Sequence, residues 1–131
     1  MFVDASVIIA VLTFEDEKEL FETKLKNAVA IVTSPIAIYE AVLGVTRKLS
    51  CGARDAQSAV SSFVNETEAE ILSIDEAIGE AALAAFDKFG RGKHKAALNM
   101  GDCFAYACAK SRKMPLLFKG NDFVHTDIRI A

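Results

Sequence analysis

Short apolar runs alternate with longer segments of helical periodicity along the whole chain. Met1–Asp4 reads as a short strand, and Ser6 as the cap of an apolar helix that begins at Val7. Over Glu15–Ala28 the apolar positions Leu20, Phe21 and Leu25 recur among charges, the pattern of an amphipathic helix. Val29–Thr33 is a β-branched run and predicts a buried strand. Ser34-Pro35 then places serine at a cap and proline at the first position of a helix over 36–49. Arg54–Thr67 predicts another amphipathic helix, and Glu70–Ile74 a strand. Asp75 caps an alanine-rich helix that ends near Gly90. Asn99 caps a helix reaching Lys113. Pro115–Phe118 is a last core strand, Gly120-Asn121 a turn, and Ile128–Ile130 a final short strand.

Strands that alternate with helices predict an α/β fold, a three-layer α/β/α sandwich around a central parallel sheet, here as one domain over 1–131. In such folds the site lies in the crevice beyond the carboxyl ends of the strands. Asp4 ends the first strand and Asp122 follows the last core strand, so both fall on that edge.

Two further acids stand where charge is expensive. Glu40 lies in the apolar helix PIAIYEAVLGV, with Ala37, Ala41 and Gly44 around it. Asp102 lies in LNMGDCFAYACA, and its helical neighbours Ala105 and Ala109 are small. Asp4, Glu40, Asp102 and Asp122 come from four separate segments. Carboxylates gathered together raise one another's pKa unless a cation compensates them. All-oxygen ligation selects hard ions, Mg²⁺ or Mn²⁺, and such ions serve phosphoester hydrolysis. In this reading the four acids hold the ion together, and Glu40 or Asp122 orients the water or helps hold a second ion.

Each acid also has an ordinary explanation. Asp4 could cap the first helix, and Asp102 sits three residues after Asn99, a capping-box spacing. Asp122 fits turn chemistry, and Glu40 fits one exposed edge of its helix.

The composition narrows the setting. The 52% apolar fraction of these 131 residues leaves apolar surface for a partner or a dimer. A net charge of −3 argues against a generally nucleic-acid-binding surface, but Arg91, Lys93, His94 and Lys95 form a local basic loop suited to a phosphate backbone. Lys119 has the same potential. Tyr39 and Tyr106 read as helix packing rather than base-stacking platforms. Three cysteines without a C-x-x-C pair suggest reduced thiols and a cytoplasmic setting. Asp4 interrupts the apolar N-terminus, which argues against a signal peptide, and no run is long enough to span a bilayer.

VDASVIIAVL at the start, SPIAIYEAVL around Glu40 and GRGKHKAALNMGDCFAYACAKSRKMPLLFKGNDFVHTDI together make the chain resemble PIN-domain ribonucleases, specifically the VapC toxins of type II toxin–antitoxin pairs. The resemblance covers essentially the whole chain. It implies the same three-layer fold, Mg²⁺- or Mn²⁺-dependent cleavage of RNA, and a small VapB-type antitoxin that blocks the acidic cleft. It also implies a homodimer or a larger toxin–antitoxin assembly. Asp4 and Asp102 match the principal metal aspartates and Glu40 the catalytic glutamate. Asn121 and Asp122 compete for the fourth position, and Asp122 is preferred because its carboxylate binds a cation. Ser6 matches a small hydroxyl residue near the first aspartate.

Two other function classes share the fold. A receiver-like phosphoacceptor carries paired acids after strand one and a phosphorylated aspartate after strand three. Here a single acid follows strand one, and Ile74-Asp75-Glu76 reads as a helix start. A non-catalytic binding module would not need all four acids.

Overall fold

The computed structural model describes residues 1–131. Four short parallel strands, β1 (Phe2–Val3), β2 (Val32–Thr33), β3 (Glu70–Ile71) and β4 (Leu116–Leu117), form a sheet in the order β3-β2-β1-β4. Six helices connect them: α1 (Ala5–Leu12), α2 (Lys18–Lys26), α3 (Pro35–Leu49), α4 (Ala53–Glu66), α5 (Glu76–Phe89) and α6 (Met100–Ser111). Register places Phe2 opposite Val32 and Leu116, and Val3 opposite Leu117.

Because side chains alternate across a strand, each strand feeds both faces. Phe2, Val32 and Leu116 pack with α5 and α6, while Val3 and Leu117 pack with α1, α2, α3 and α4. Two apolar layers therefore enclose the sheet, as the alternation of strands and helices predicts. Phe2, Val3 and Leu116 are completely buried, and burial of side chains this size stabilises by about 1.5–3 kcal/mol each. Such packing leaves β1, between β2 and β4, as a rigid platform for whatever follows it.

Local chemistry sets the boundaries. Asp4, not Ser6, caps α1, because its carboxylate accepts the Ser6 amide at 3.0 Å. Ser34 caps α3 through the Ala37 amide at 3.1 Å, with Pro35 following as the first helical residue. Asp75 caps α5 through the Ile78 amide. Asn99 and Asp102 form a reciprocal capping box on α6.

Other boundaries differ from the pattern. β2 begins at Val32, and Val29 is fully exposed, since Asn27 and Ala28 still close α2. α2 begins at Lys18 because Phe14–Glu17 forms a turn with Phe14 at positive φ. β3 stops at Ile71 and is exposed at the sheet edge, so apolar character overstated its length. The last strand reduces to one bridge between Leu116 and Ile130. No helix is long and apolar enough to cross a membrane.

Candidate active site

The fold delivers the acids from different elements to one place. Asp4 leaves the carboxyl end of β1, Glu40 sits in the second turn of α3, and Asp102 in the first turn of α6. All three line a cleft of about 330 Å³, together with Ser6, Arg47 and Met100. A larger hollow of about 460 Å³, where Ala28–Ile31 leads into β2, lies at the opposite end of the strands and contains none of the four acids.

Asp4 is buried and accepts both the Ser6 amide and the Ser6 hydroxyl on Oδ2. Neither bond uses Oδ1. Ser6 Oγ in turn accepts the Lys119 amide at 3.0 Å, so one hydroxyl joins the ends of β1 and β4. Asp102 also works through Oδ2, which accepts the Asn99 amide at 2.9 Å, and its Oδ1 bonds to nothing else in the chain. Capping therefore does not use up either carboxylate: it occupies one oxygen and leaves the other unbonded.

Glu40 depends on a residue that the sequence pattern did not single out. A Cβ on Gly101 would overlap the Glu40 carboxylate. The glycine lets α3 and α6 approach there with a carboxylate between them. Nothing local marks it, since the requirement arises only when two distant helices meet. Glu40 is half-buried rather than on an exposed edge.

Electrostatics reflect this crowding. Burial, opposed by the Ser6 bonds and reinforced by Asp122, raises the Asp4 pKa. Burial and then the charges of Asp4 and Asp102 push Glu40 up to about 7. Burial pushes Asp102 up to about 6, with Asp4 and Asp122 raising it and the Asn99 amide and Arg91 lowering it. Asp122 is thus close enough to act on both aspartates, but it is exposed and outside the cleft lining. Its neighbour Phe123 is buried edge-on against Phe118, ring centroids 4.9 Å apart, and pins the loop. Asn121 is exposed and makes no side-chain hydrogen bond.

The donors suit a divalent cation. They are carboxylate oxygens, the hard ligands that Mg²⁺ and Mn²⁺ take, and their charge is uncompensated by any lysine or arginine ion pair. No three acidic, histidine or cysteine side chains converge tightly enough to cage an ion alone. Mg²⁺ does not require a cage, because it keeps several waters and is held through one or two carboxylates plus substrate phosphates.

The basic residues divide. Arg91 lies near enough to lower Asp102 and its amide bonds to Leu98, which anchors the loop. Lys93 instead pairs with Asp87 at 2.7 Å, and Lys95 is exposed without an ion pair. Lys119 is not a free phosphate contact: Glu15 and Glu17 both engage it, and Glu15 also holds Lys48. His94 packs edge-on against Phe89. Tyr106 is buried and hydrogen-bonded to Asp127, as helix packing predicts, whereas Tyr39 is 66% exposed at the cleft and overturns that expectation. Arg47, also in the cleft, was likewise not evident from the sequence, because its position depends on the approach of α6 to α3.

Comparison with known proteins places this geometry. The PIN domain family model matches residues 1–129. A VapC ribonuclease of Rhizobium meliloti is 39% identical over 139 residues, covering 97% of this chain and 98% of that protein. Among solved structures, a Mycobacterium tuberculosis VapC20, described as a Sarcin-Ricin loop cleaving toxin, superposes with a TM-score of 0.80 at 16% identity, covering 99% of this chain and 97% of that one. A toxin–antitoxin complex from Klebsiella pneumoniae superposes with a TM-score of 0.71 at 17% identity, covering 99% and 95%. These two structural likenesses concern the fold.

Proposed function

The chain belongs to the PIN domain family, among its VapC ribonucleases, and on that premise we propose that it is a toxin that cleaves RNA with Asp4, Glu40, Asp102 and Asp122. One observation carries the assignment of residues: three carboxylates from separate elements line a single cleft beyond the strand ends, with no cation in the chain paired to them.

Asp4 and Asp102 would hold Mg²⁺, or Mn²⁺ in its place, through the oxygens their caps leave over, with Glu40 and Asp122 in support. When bound, such an ion neutralises phosphate charge and acidifies water. Glu40 lines the same cleft, which suits its carboxylate to receive a proton from the attacking water. Ser6 fixes the Asp4 rotamer, and the Asn99 cap fixes Asp102. Arg91, Lys93 and Lys95 lie on the loop before α6 and would draw the RNA backbone toward the acids, Arg91 most directly.

The partner is a VapB-type antitoxin that covers the cleft, in a homodimer or larger toxin–antitoxin assembly within the cytoplasm. The test is cleavage of labelled RNA by antitoxin-free protein with and without Mg²⁺ or Mn²⁺. Cleavage should require the ion and fall at least a hundredfold in Asp4→Asn and Asp102→Asn. Ion-independent cleavage, or full activity in either variant, would overturn the reading.

A further inference from the structure

We propose that the α3 face beside the acids is a substrate subsite, in which Tyr39 stacks the base and Arg47 pairs the phosphate of an unpaired nucleotide flanking the scissile bond. The inference rests on the ribonuclease reading and adds to it the two side chains that hold the nucleotide beside the cut.

Glu40, Leu43 and Arg47 follow the i, i+3, i+7 spacing of one helical stripe, and all three line the cleft with Tyr39. Arg47 is the sole lysine or arginine in that lining and takes part in none of the chain's ion pairs. Its neighbour Lys48 is already committed to Glu15. Seven residues at a helical rise of about 1.5 Å put Arg47 roughly 10 Å along the axis from Glu40. That distance is too long for a direct pair with Glu40 but suits a phosphate next to the reacting one. An unpaired guanidinium beside an acidic centre calls for an anion, and its planar fork matches a phosphate.

Tyr39 is 66% exposed and has neither a hydrogen bond nor an aromatic partner. Leu43 and Met100, 39% and 65% exposed, border the same space. An exposed ring with apolar neighbours and a nearby cation is the arrangement that binds a splayed base and its phosphate. Bases within a duplex keep their own stacking, so only an unpaired nucleotide can use it.

The experiment measures binding of a short fluorescein-labelled single-stranded RNA of mixed sequence, and of the same sequence as a duplex, across a salt series. Cleavage kinetics are followed in parallel with Mg²⁺. Tyr39→Ala should raise Kd and KM for the single strand about tenfold, leave kcat within twofold and spare the duplex, and Tyr39→Phe should restore the wild-type values. Arg47→Ala should reduce the salt slope by about one, and Arg47→Lys should recover it. Unchanged single-strand affinity in both alanine variants, while wild type cleaves normally, would overturn the subsite and leave the ribonuclease reading intact. Loss of antitoxin binding with unchanged RNA affinity would assign the face to the protein partner and overturn it too. A wild-type protein that cleaves no RNA would remove both readings.

Discussion

Gly101 of α6 faces Glu40 of α3 so closely that the volume of a methyl group at position 101 is already filled by the Glu40 carboxylate. The chain gives up helix propensity, about 1 kcal/mol for glycine against alanine, at a position where the Glu40 carboxylate lies between the two helices. Gly101→Ala should therefore displace Glu40 and reduce kcat at least tenfold while circular dichroism stays that of wild type. Glu40→Asp shortens the side chain, so the double variant should recover part of the Gly101→Ala loss. A double-mutant cycle with no coupling between 101 and 40 would contradict the relationship.

Metal-free protein should lose stability as neutral pH is approached. A carboxyl whose folded pKa lies above its unfolded value binds more protons when folded, so stability falls as pH rises between the two. For Glu40 that interval runs from 4.5 to about 7, and for Asp102 from 3.8 to about 6. Glu15 behaves oppositely: Lys119 and Lys48 lower it from 4.5 to about 2, and its contribution disappears as pH falls through that range. Thermal melts in chelator should peak in mildly acidic solution and decline toward pH 7.

Mg²⁺ or Mn²⁺ should reverse that decline. At a hundredfold excess over Kd, an ion bound only by the folded state stabilises by about 2.7 kcal/mol. Asp102→Asn should melt higher than wild type in chelator at neutral pH, because it removes a crowded negative charge, and should respond less to the ion. Equal metal-induced shifts in both proteins would exclude Asp102 as a ligand.

Ser6→Ala should cost about 1–3 kcal/mol, because it leaves the Lys119 amide and one Asp4 bond unsatisfied. Activity should fall further than stability explains, since Asp4 keeps only the amide bond of its two orienting bonds. Urea melts compared with kcat separate the two effects.

Within the basic loop the residues should not be equivalent. Arg91→Ala should flatten the salt dependence of RNA binding by about one unit of slope. Lys93→Ala should change it less, because Lys93 is already paired with Asp87. Equal slopes for wild type and Arg91→Ala would remove the loop from the interface.

The acids were legible in the sequence because a carboxylate inside an apolar run is costly and stands out, as Asp4 and Glu40 do. Order of elements and layer architecture followed from alternating periodicities. Capping was legible too, but as a rival to function, whereas in both Asp4 and Asp102 the cap takes only one carboxylate oxygen and leaves the other free for the proposed role. Strand lengths were overstated, since β-branched Val29 and Ile31 and apolar Leu72 and Ile74 continue the chemistry without continuing the ladder. Gly101, Tyr39 and Arg47 were not legible in these roles, because each depends on how α3 lies against α6 or its cleft. Lys119 looked free because its partners, Glu15 and Glu17, lie more than a hundred residues away in sequence.

The bond from the Lys119 amide to Ser6 spans 113 positions of sequence, and β1 lies between β2 and the late strand β4. Asp4 is therefore held from a segment more than a hundred positions away, and it is fixed only where β4 lies beside β1. The geometry at Asp4 is thus a long-range property of the chain, which local folding of β1 and α1 alone does not set.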